Sequence, residues 1–214
     1  MTMSAAQLMH ELTCRKYPET HVVLVPDESS SFYFVRHGAT EPNLRGIRCG
    51  GDLDLALTDV GRDQACETAR RIRAMQLDVG LIVCSSLKRT RQHAQIIREA
   101  LGDVPIAFDP LLDERRMGEW NLRSVAKTEV LLAQGMNPPG GETEQQFVDR
   151  VTAAFERLQM LLPLNPLVVS SKAVARVLNL LLGGKGRLTL DNGEMVQFIM
   201  KSLASQAANE RIPA

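Results

Sequence analysis

Phe32-Tyr33-Phe34-Val35-Arg36 is a short apolar run that predicts a buried β-strand, and His37-Gly38-Ala39-Thr40 follows it directly. The strand therefore ends on a cation, Arg36, with an imidazole, His37, beside it. Gly38 lacks a side chain, so the backbone after the histidine can come close to a ligand. Sheets in α/β proteins bind ligands at the carboxyl ends of their strands, and we expect His37 to point into that crevice.

A second strand, late in the chain, is predicted to end at the same place. Leu167-Val168-Val169-Ser170 is another apolar run, and Ser171 and Lys172 come directly after it. At the position where a second imidazole would be most useful, this strand offers Ser171. The two strand ends thus predict one shared site that contains a single histidine.

Strand and helix patterns alternate along the rest of the chain. Short β-type runs at 81–84 and 106–108 predict two more strands. Helical stripes follow Thr58, a good N-cap, and Thr143, which forms a capping box with Gln146. Such alternation is typical of α/β proteins. We therefore predict three layers, with a mostly parallel sheet flanked by helices on both faces.

The chain divides into a central domain and two end segments. Residues 1–30 are predicted to form an N-terminal appendage, residues 31–202 the domain, and residues 203–214 a C-terminal tail. Within the domain, residues 115–141 are rich in Arg, Gly and Pro and long enough to cover the site as a flap. Residues 187–200 resemble a final hairpin around an Asp-Asn-Gly turn.

Composition excludes several classes of partner. The 214 residues are 44% apolar and carry 25 basic and 25 acidic side chains, so we expect neither a nucleic-acid nor a membrane partner. No apolar stretch approaches the roughly 20 residues of a bilayer span, and the start lacks the features of a signal peptide. We expect a cytoplasmic protein. The four cysteines show no metal-site spacing, so no zinc site is expected. No other metal and no cofactor is expected either. Oligomeric state is not predicted.

Three separate strand ends supply the groups that phosphoryl transfer requires. A neutral imidazole at His37 is a competent nucleophile. Arg89 falls in the first turn of a helix, where its guanidinium adds to amides that already favour anions. Glu114, beside Asp113, is a candidate proton donor if its carboxyl group is partly buried. Together they predict a site for a small phosphorylated substrate or a phosphate anion.

With these motifs the chain resembles the histidine phosphatase superfamily, which has the phosphoglycerate mutase-like fold. The resemblance extends from about Phe32 to Met200. The resemblance implies that His37 becomes phosphorylated, that Arg36 and Arg89 hold the phosphoryl group, that Asn43 contacts it, and that Glu114 donates the proton. Thr40 belongs to the same motif and is assigned to substrate binding. The matching segments are 36–43, 54–61, 86–91, 112–120, 140–143 and 168–176.

The chain departs from this family at the late strand. Where the family has Ser-His-Gly, Ser170 is followed by Ser171 and Lys172, so the second catalytic histidine is absent and these two residues are assigned to substrate binding in its place. His93 lies one helical turn beyond Arg89 on the same face. Either it rescues the missing imidazole or it belongs to the layer beneath the site.

Three hypotheses follow from this departure. The first is a slow or specialised phosphomonoesterase that works through phospho-His37. The second is a catalytically inactive relative that binds a phosphorylated metabolite or protein. The third is a module that uses only the scaffold, which leaves the joint presence of His37, Arg89 and Glu114 unexplained. A phosphoglycerate mutase-like transferase is a further alternative, but the family's mutases have a more elaborate covering segment than 115–141.

Overall fold

The structure, a computed structural model, describes residues 30–185 and 188–200. Its central element is a five-stranded sheet in the order β3-β2-β4-β1-β5. The pairs β1–β4, β2–β4 and β2–β3 are parallel, and β5 runs antiparallel to β1 along one edge. The predicted, mostly parallel sheet is confirmed. The strands are β1 (Ser31–Arg36), β2 (Leu81–Cys84), β3 (Ile106–Phe108), β4 (Pro166–Ser170) and β5 (Met195–Ile199).

Two of the longer helices begin at caps that the sequence predicts. The Thr58 hydroxyl accepts a hydrogen bond from the Gly61 amide, and Thr143 forms the predicted capping box with Gln146. The α-helices are α1 (Glu41–Leu44), α2 (Asp59–Ala74), α3 (Lys88–Leu101), α4 (Val125–Ala133), α5 (Glu144–Leu161) and α6 (Lys172–Leu181). Three short 3-10 turns cover Pro110–Leu112, Gly118–Trp120 and Leu162–Leu164. No described helix is long and apolar enough to cross a bilayer.

Two hydrophobic clusters, one on each face of the sheet, produce the three predicted layers. On one face, β-strand side chains such as Phe34 and Val168 pack against α5 and α6. On the other, side chains such as Val35 and Val169 pack against α2 and α3. Neighbouring residues of one strand point to opposite faces, so each inner strand is buried on both sides. Because β1, β2 and β4 run parallel, their carboxyl ends meet at one edge of the sheet.

The predicted final hairpin is wrong in its first arm. The turn forms, because the Glu194 amide donates to the Asp191 carbonyl oxygen at 3.1 Å. Residues 188–190 are not a strand, however, and β5 pairs instead with the open edge of β1, with Phe198 opposite Phe32. The Leu190 carbonyl oxygen accepts a hydrogen bond from the Arg36 guanidinium at 2.6 Å. The predicted appendage, apart from Ser30, the tail and the first position of the hairpin lie outside the described residues.

Candidate active site

A cavity of about 380 Å³ lies at the carboxyl ends of the strands. Its walls come from the end of β1, the starts of α3 and α6, and the segment 115–141 that was predicted to cover the site. Thr40 and Ser171 lie outside its lining. Six of the eight site residues expected from the sequence line it: Arg36, His37, Asn43, Arg89, Glu114 and Lys172.

His37 is held with one ring nitrogen occupied and the other available. Its backbone amide donates to the Ser170 carbonyl oxygen at 2.9 Å, which joins the ends of β1 and β4. Its Nδ1 lies 2.7 Å from the Gly38 carbonyl oxygen. Because a carbonyl only accepts, Nδ1 carries the proton and Nε2 keeps its lone pair. Burial, then the charges of Arg89 and Arg36, lowers the pKa of His37 well below its usual value. The ring is therefore neutral at pH 7 and able to act as a nucleophile.

The backbone beneath the nucleophile is fixed by Gly38 and His93. The Gly38 amide donates to His93 Nδ1 at 2.9 Å, and a Cβ added to Gly38 would lie 2.1 Å from the Gly61 carbonyl oxygen. No larger residue fits there without backbone movement. His93 is fully buried, burial lowers its pKa to about 3, and it does not line the cavity. Of the two alternatives for His93, the structure supports the layer beneath the site.

Two guanidinium groups border His37. Arg89 is 1% exposed, and it donates to the carbonyl oxygens of Leu53 at 2.7 Å and Gly50 at 3.3 Å. Arg36 donates through Nη1 to Leu190, while its buried Nε has no hydrogen-bond partner. Burial lowers the pKa of Arg36, but an arginine remains charged at neutral pH. Fixed cations with spare donors favour a tetrahedral anion at this point.

The carboxyl and amide candidates, Glu114 and Asn43, are both held by backbone amides. Glu114 lines the cavity, and its Oε1 accepts a hydrogen bond from the Arg115 amide at 2.8 Å. Asn43 Oδ1 accepts from the Thr40 amide at 3.0 Å and the Thr40 hydroxyl at 2.9 Å. These bonds fix the orientation of the Asn43 amide, so its NH₂ group is the part available to an anion. The structure therefore places Thr40, which is fully buried, behind Asn43.

Ser171 and Lys172 differ in their access to the cavity. Ser171 is 1% exposed at the N-cap of α6, and its buried hydroxyl has no hydrogen-bond partner. Lys172, the first residue of α6, is half-buried and lines the cavity. Burial, followed by the charges of Arg36 and Arg176, lowers the pKa of Lys172. A helix N-terminus, an ammonium group and an orphaned hydroxyl thus occur together beside His37.

The sequence-based site omitted several lining residues. Arg176 lies one helical turn after Lys172, so helical spacing was the signal that could have found it. Arg48 and Arg115 also line the cavity, together with apolar side chains from α4 and α6. Among the described residues, no group of three or more His, Cys, Asp or Glu side chains is arranged to hold a metal ion.

Curated proteins similar to this chain include a probable mutase and a probable phosphatase. A probable phosphoglycerate mutase of Escherichia coli, GpmB, is 38% identical over 134 residues, which cover 58% of this chain and 60% of the relative. A probable phosphatase of Schizosaccharomyces pombe is 37% identical over 100 residues, 47% of this chain and 46% of the relative. The chain therefore matches about half to three-fifths of the length of these relatives.

Solved structures share the fold. A mycobacterial glucosyl-3-phosphoglycerate phosphatase in complex with VO3 is 26% identical, with a TM-score of 0.66 over 79% of this chain and 92% of the other. An alpha-ribazole phosphatase from Shigella flexneri has a TM-score of 0.67 over 78% and 89% of the two chains, and at 23% identity it shows the fold alone.

The family model of the histidine phosphatase superfamily (branch 1) matches residues 32–200. This span agrees with the resemblance expected between Phe32 and Met200. The chain belongs to the histidine phosphatase superfamily.

Proposed function

We propose that this protein is a phosphomonoester hydrolase that works through a phosphohistidine at His37. The observation that supports this best is the state of the His37 ring. It is neutral, its Nδ1 proton is held by the Gly38 carbonyl oxygen, and Nε2 is left with a lone pair in a cavity that also contains Arg36 and Arg89. That arrangement suits in-line attack on phosphorus.

The reaction has two steps. His37 Nε2 forms a bond to phosphorus as the ester P–O bond breaks, and the leaving oxygen takes a proton from Glu114. Water then attacks the phosphohistidine, gives its proton back to the Glu114 carboxylate and releases inorganic phosphate, which returns His37 to its neutral form. Arg36 and Arg89 stabilise the charge on the equatorial oxygens in both steps.

We expect this chemistry to be slow, because Ser171 occupies the position of the family's second histidine. A serine hydroxyl donates one neutral hydrogen bond, whereas a protonated imidazole donates a charge-assisted one. Removal of one such donor typically costs roughly 3 to 4 kcal/mol, or about 10²- to 10³-fold in rate. Lys172, at the same cavity, returns a positive charge to the site, although an ammonium on a flexible stem is a less ordered donor.

The same substitution favours a second candidate function. A chain that keeps the anion-binding groups but lacks the second imidazole is suited to bind a phosphorylated metabolite or protein without turning it over. A third candidate, a phosphoglycerate mutase-like transferase, is supported by the name of the 38%-identical Escherichia coli relative.

Hydrolysis of p-nitrophenyl phosphate by the natural chain and by His37→Asn distinguishes these functions. We expect slow release of phosphate by the natural chain and none by His37→Asn, with Gln95→Ala, an exposed change on α3, as the control. Stabilisation by vanadate without any hydrolysis would favour the binding protein. Interconversion of 3- and 2-phosphoglycerate would favour the mutase. Hydrolysis that survives in His37→Asn would refute the phosphohistidine route.

A further inference from the structure

The cavity is also lined by apolar side chains that the phosphoryl chemistry does not use. Four of its lining side chains, which we call the apolar wall, belong to neither core cluster of the described residues: Ile47, Val125, Leu132 and Leu180. Leu180 is 62% exposed and the other three are half-buried. Apolar side chains that face a ligand cavity without a role in the core are available to a ligand.

Two helices supply most of this wall. Val125 and Leu132 lie two turns apart on one face of α4, and Leu180 lies near the end of α6. α6 begins with Lys172 at the phosphate end of the cavity. One helix therefore spans the distance from the anion-binding groups to the apolar wall, which suggests a ligand with a charged end and an apolar end.

Three cations that line the cavity with the wall are already engaged within the protein. Arg176, one helical turn before Leu180, donates through Nε to the Leu188 carbonyl oxygen at 3.2 Å. Arg48 donates to Glu129 at 3.1 Å and to the Thr128 hydroxyl at 2.7 Å. Arg115 donates to the Glu142 carbonyl oxygen at 3.0 Å and to Asn137 at 2.9 Å. Arg48 and Glu129 neutralise each other, and the cavity also contains the carboxylate of Glu144, which repels a second anionic group. The part of the cavity beside the apolar wall is thus poorly suited to a carboxylate or a second phosphate.

We infer that the substrate is a phosphomonoester whose alcohol part is neutral and apolar, such as an arylalkyl or branched alkyl group, and that the apolar wall receives it. This inference rests on the proposed function, since it assumes that the phosphoryl group occupies the Arg36 and Arg89 end. It deepens that function by distinguishing the substrate from phosphoglycerates, which carry a carboxylate on the alcohol part.

Non-hydrolysable phosphonates test the wall independently of catalysis. Isothermal titration of the natural chain with methylphosphonate, phenethylphosphonate and 3-phosphonopropionate compares three ligands. They share the phosphonate group and differ in the substituent on it: a methyl group, an arylalkyl group or a chain that ends in a carboxylate. We expect phenethylphosphonate to bind about tenfold or more tightly than either of the others, because burial of the ring stabilises the complex. The double variant Leu132→Asn/Leu180→Asn should abolish that preference. Val130→Asn, at a 56% exposed site on α4 outside the cavity, should keep it.

The outcomes separate this inference from the proposed function. Equal affinity for methylphosphonate and phenethylphosphonate, or tighter binding of 3-phosphonopropionate, would refute the inference that the apolar wall receives the substrate's alcohol part. Neither result would count against the anion site. Failure of all three to bind would count against the anion site itself, and with it the proposed function. The comparison on the natural chain decides the question even if the double variant does not fold.

Discussion

The double change Ser171→His with Lys172→Gly should raise the rate of phosphate release, because the family resemblance implies a histidine and a glycine at these two positions. Ser170 pairs with Arg36 in the register of β4 and β1, and its carbonyl oxygen accepts the His37 amide at 2.9 Å. Residue 171 is therefore the neighbour of His37 across adjacent parallel strands, which lie about 4.8 Å apart. We expect the side chain of a histidine at 171, which is longer than that of serine, to reach a phosphoryl group bound to His37.

The size of the effect follows from what the imidazolium adds. The Ser171 hydroxyl is buried with no hydrogen-bond partner, so its replacement sacrifices no bond among the described residues. One charge-assisted donor on the developing charge contributes roughly 3 to 4 kcal/mol, and we expect kcat for p-nitrophenyl phosphate to rise about 10²- to 10³-fold. Glycine at 172 removes the helix-favouring lysine at the start of α6 and costs about 1 kcal/mol of folding free energy.

The assay is phosphate release under saturating substrate, with thermal unfolding of each variant to establish that it folds. Ser171→Ala and Lys172→Gly alone serve as matched controls, and neither should gain rate. A folded double variant with an unchanged rate would refute the reasoning that the second imidazole limits catalysis. Rapid turnover by the natural chain would show that another group already performs its role.

Three further predictions concern individual side chains. Arg89→Lys keeps the positive charge but loses the planar, two-pronged guanidinium, so the Kd for vanadate, measured by titration, should rise about tenfold. Arg91→Lys, at an exposed site on the same helix, is the control. An unchanged Kd for Arg89→Lys would contradict the prediction. Ser171→Ala removes an unpaired buried hydroxyl, so denaturant unfolding should show a gain of about 1 kcal/mol in the free energy of unfolding. A loss of that size would contradict this, because it would mean that the Ser171 hydroxyl makes a hydrogen bond in the folded protein. His93 has a pKa of about 3 in the fold, below its unfolded value, so its contribution to stability is complete above about pH 6.5 and is lost as pH falls. At about pH 4.5 the loss reaches roughly 2 to 3 kcal/mol. His93→Gln should reduce this acid dependence of the free energy of unfolding. The same pH dependence in the variant and the natural chain would refute the assignment of His93 as a histidine that is buried in its neutral form.

Features set by neighbouring residues could be predicted from the sequence. The strands at 81–84 and 106–108 are confirmed at both ends, because short apolar runs bounded by turn residues leave little alternative. The caps at Thr58 and Thr143 form because each threonine bonds an amide three residues ahead. The grouping of His37 with other strand-end residues also follows, because parallel strands bring their carboxyl ends to one edge.

Features set by distant residues could not be predicted in this way. The first hairpin arm fails because Leu190 is engaged by the Arg36 guanidinium, 154 positions away. The i, i+4 spacing from Arg89 gives the helix face of His93 but not its depth, which depends on the hydrogen bond from Gly38. The apolar wall could not be predicted because its members come from α4, α6 and the loop at Ile47, and no local sequence pattern connects them.

The most direct test of the central claim is to trap the phosphorylated protein. The natural chain is mixed with p-nitrophenyl phosphate, quenched in alkali to preserve phosphohistidine, and digested for mass spectrometry. We predict one phosphoryl group on the peptide that contains His37, absent from His37→Asn and present in Gln95→Ala. Phosphate release without any modified His37 peptide, or a phosphoryl group on another residue, would contradict the assignment of His37 as the nucleophile.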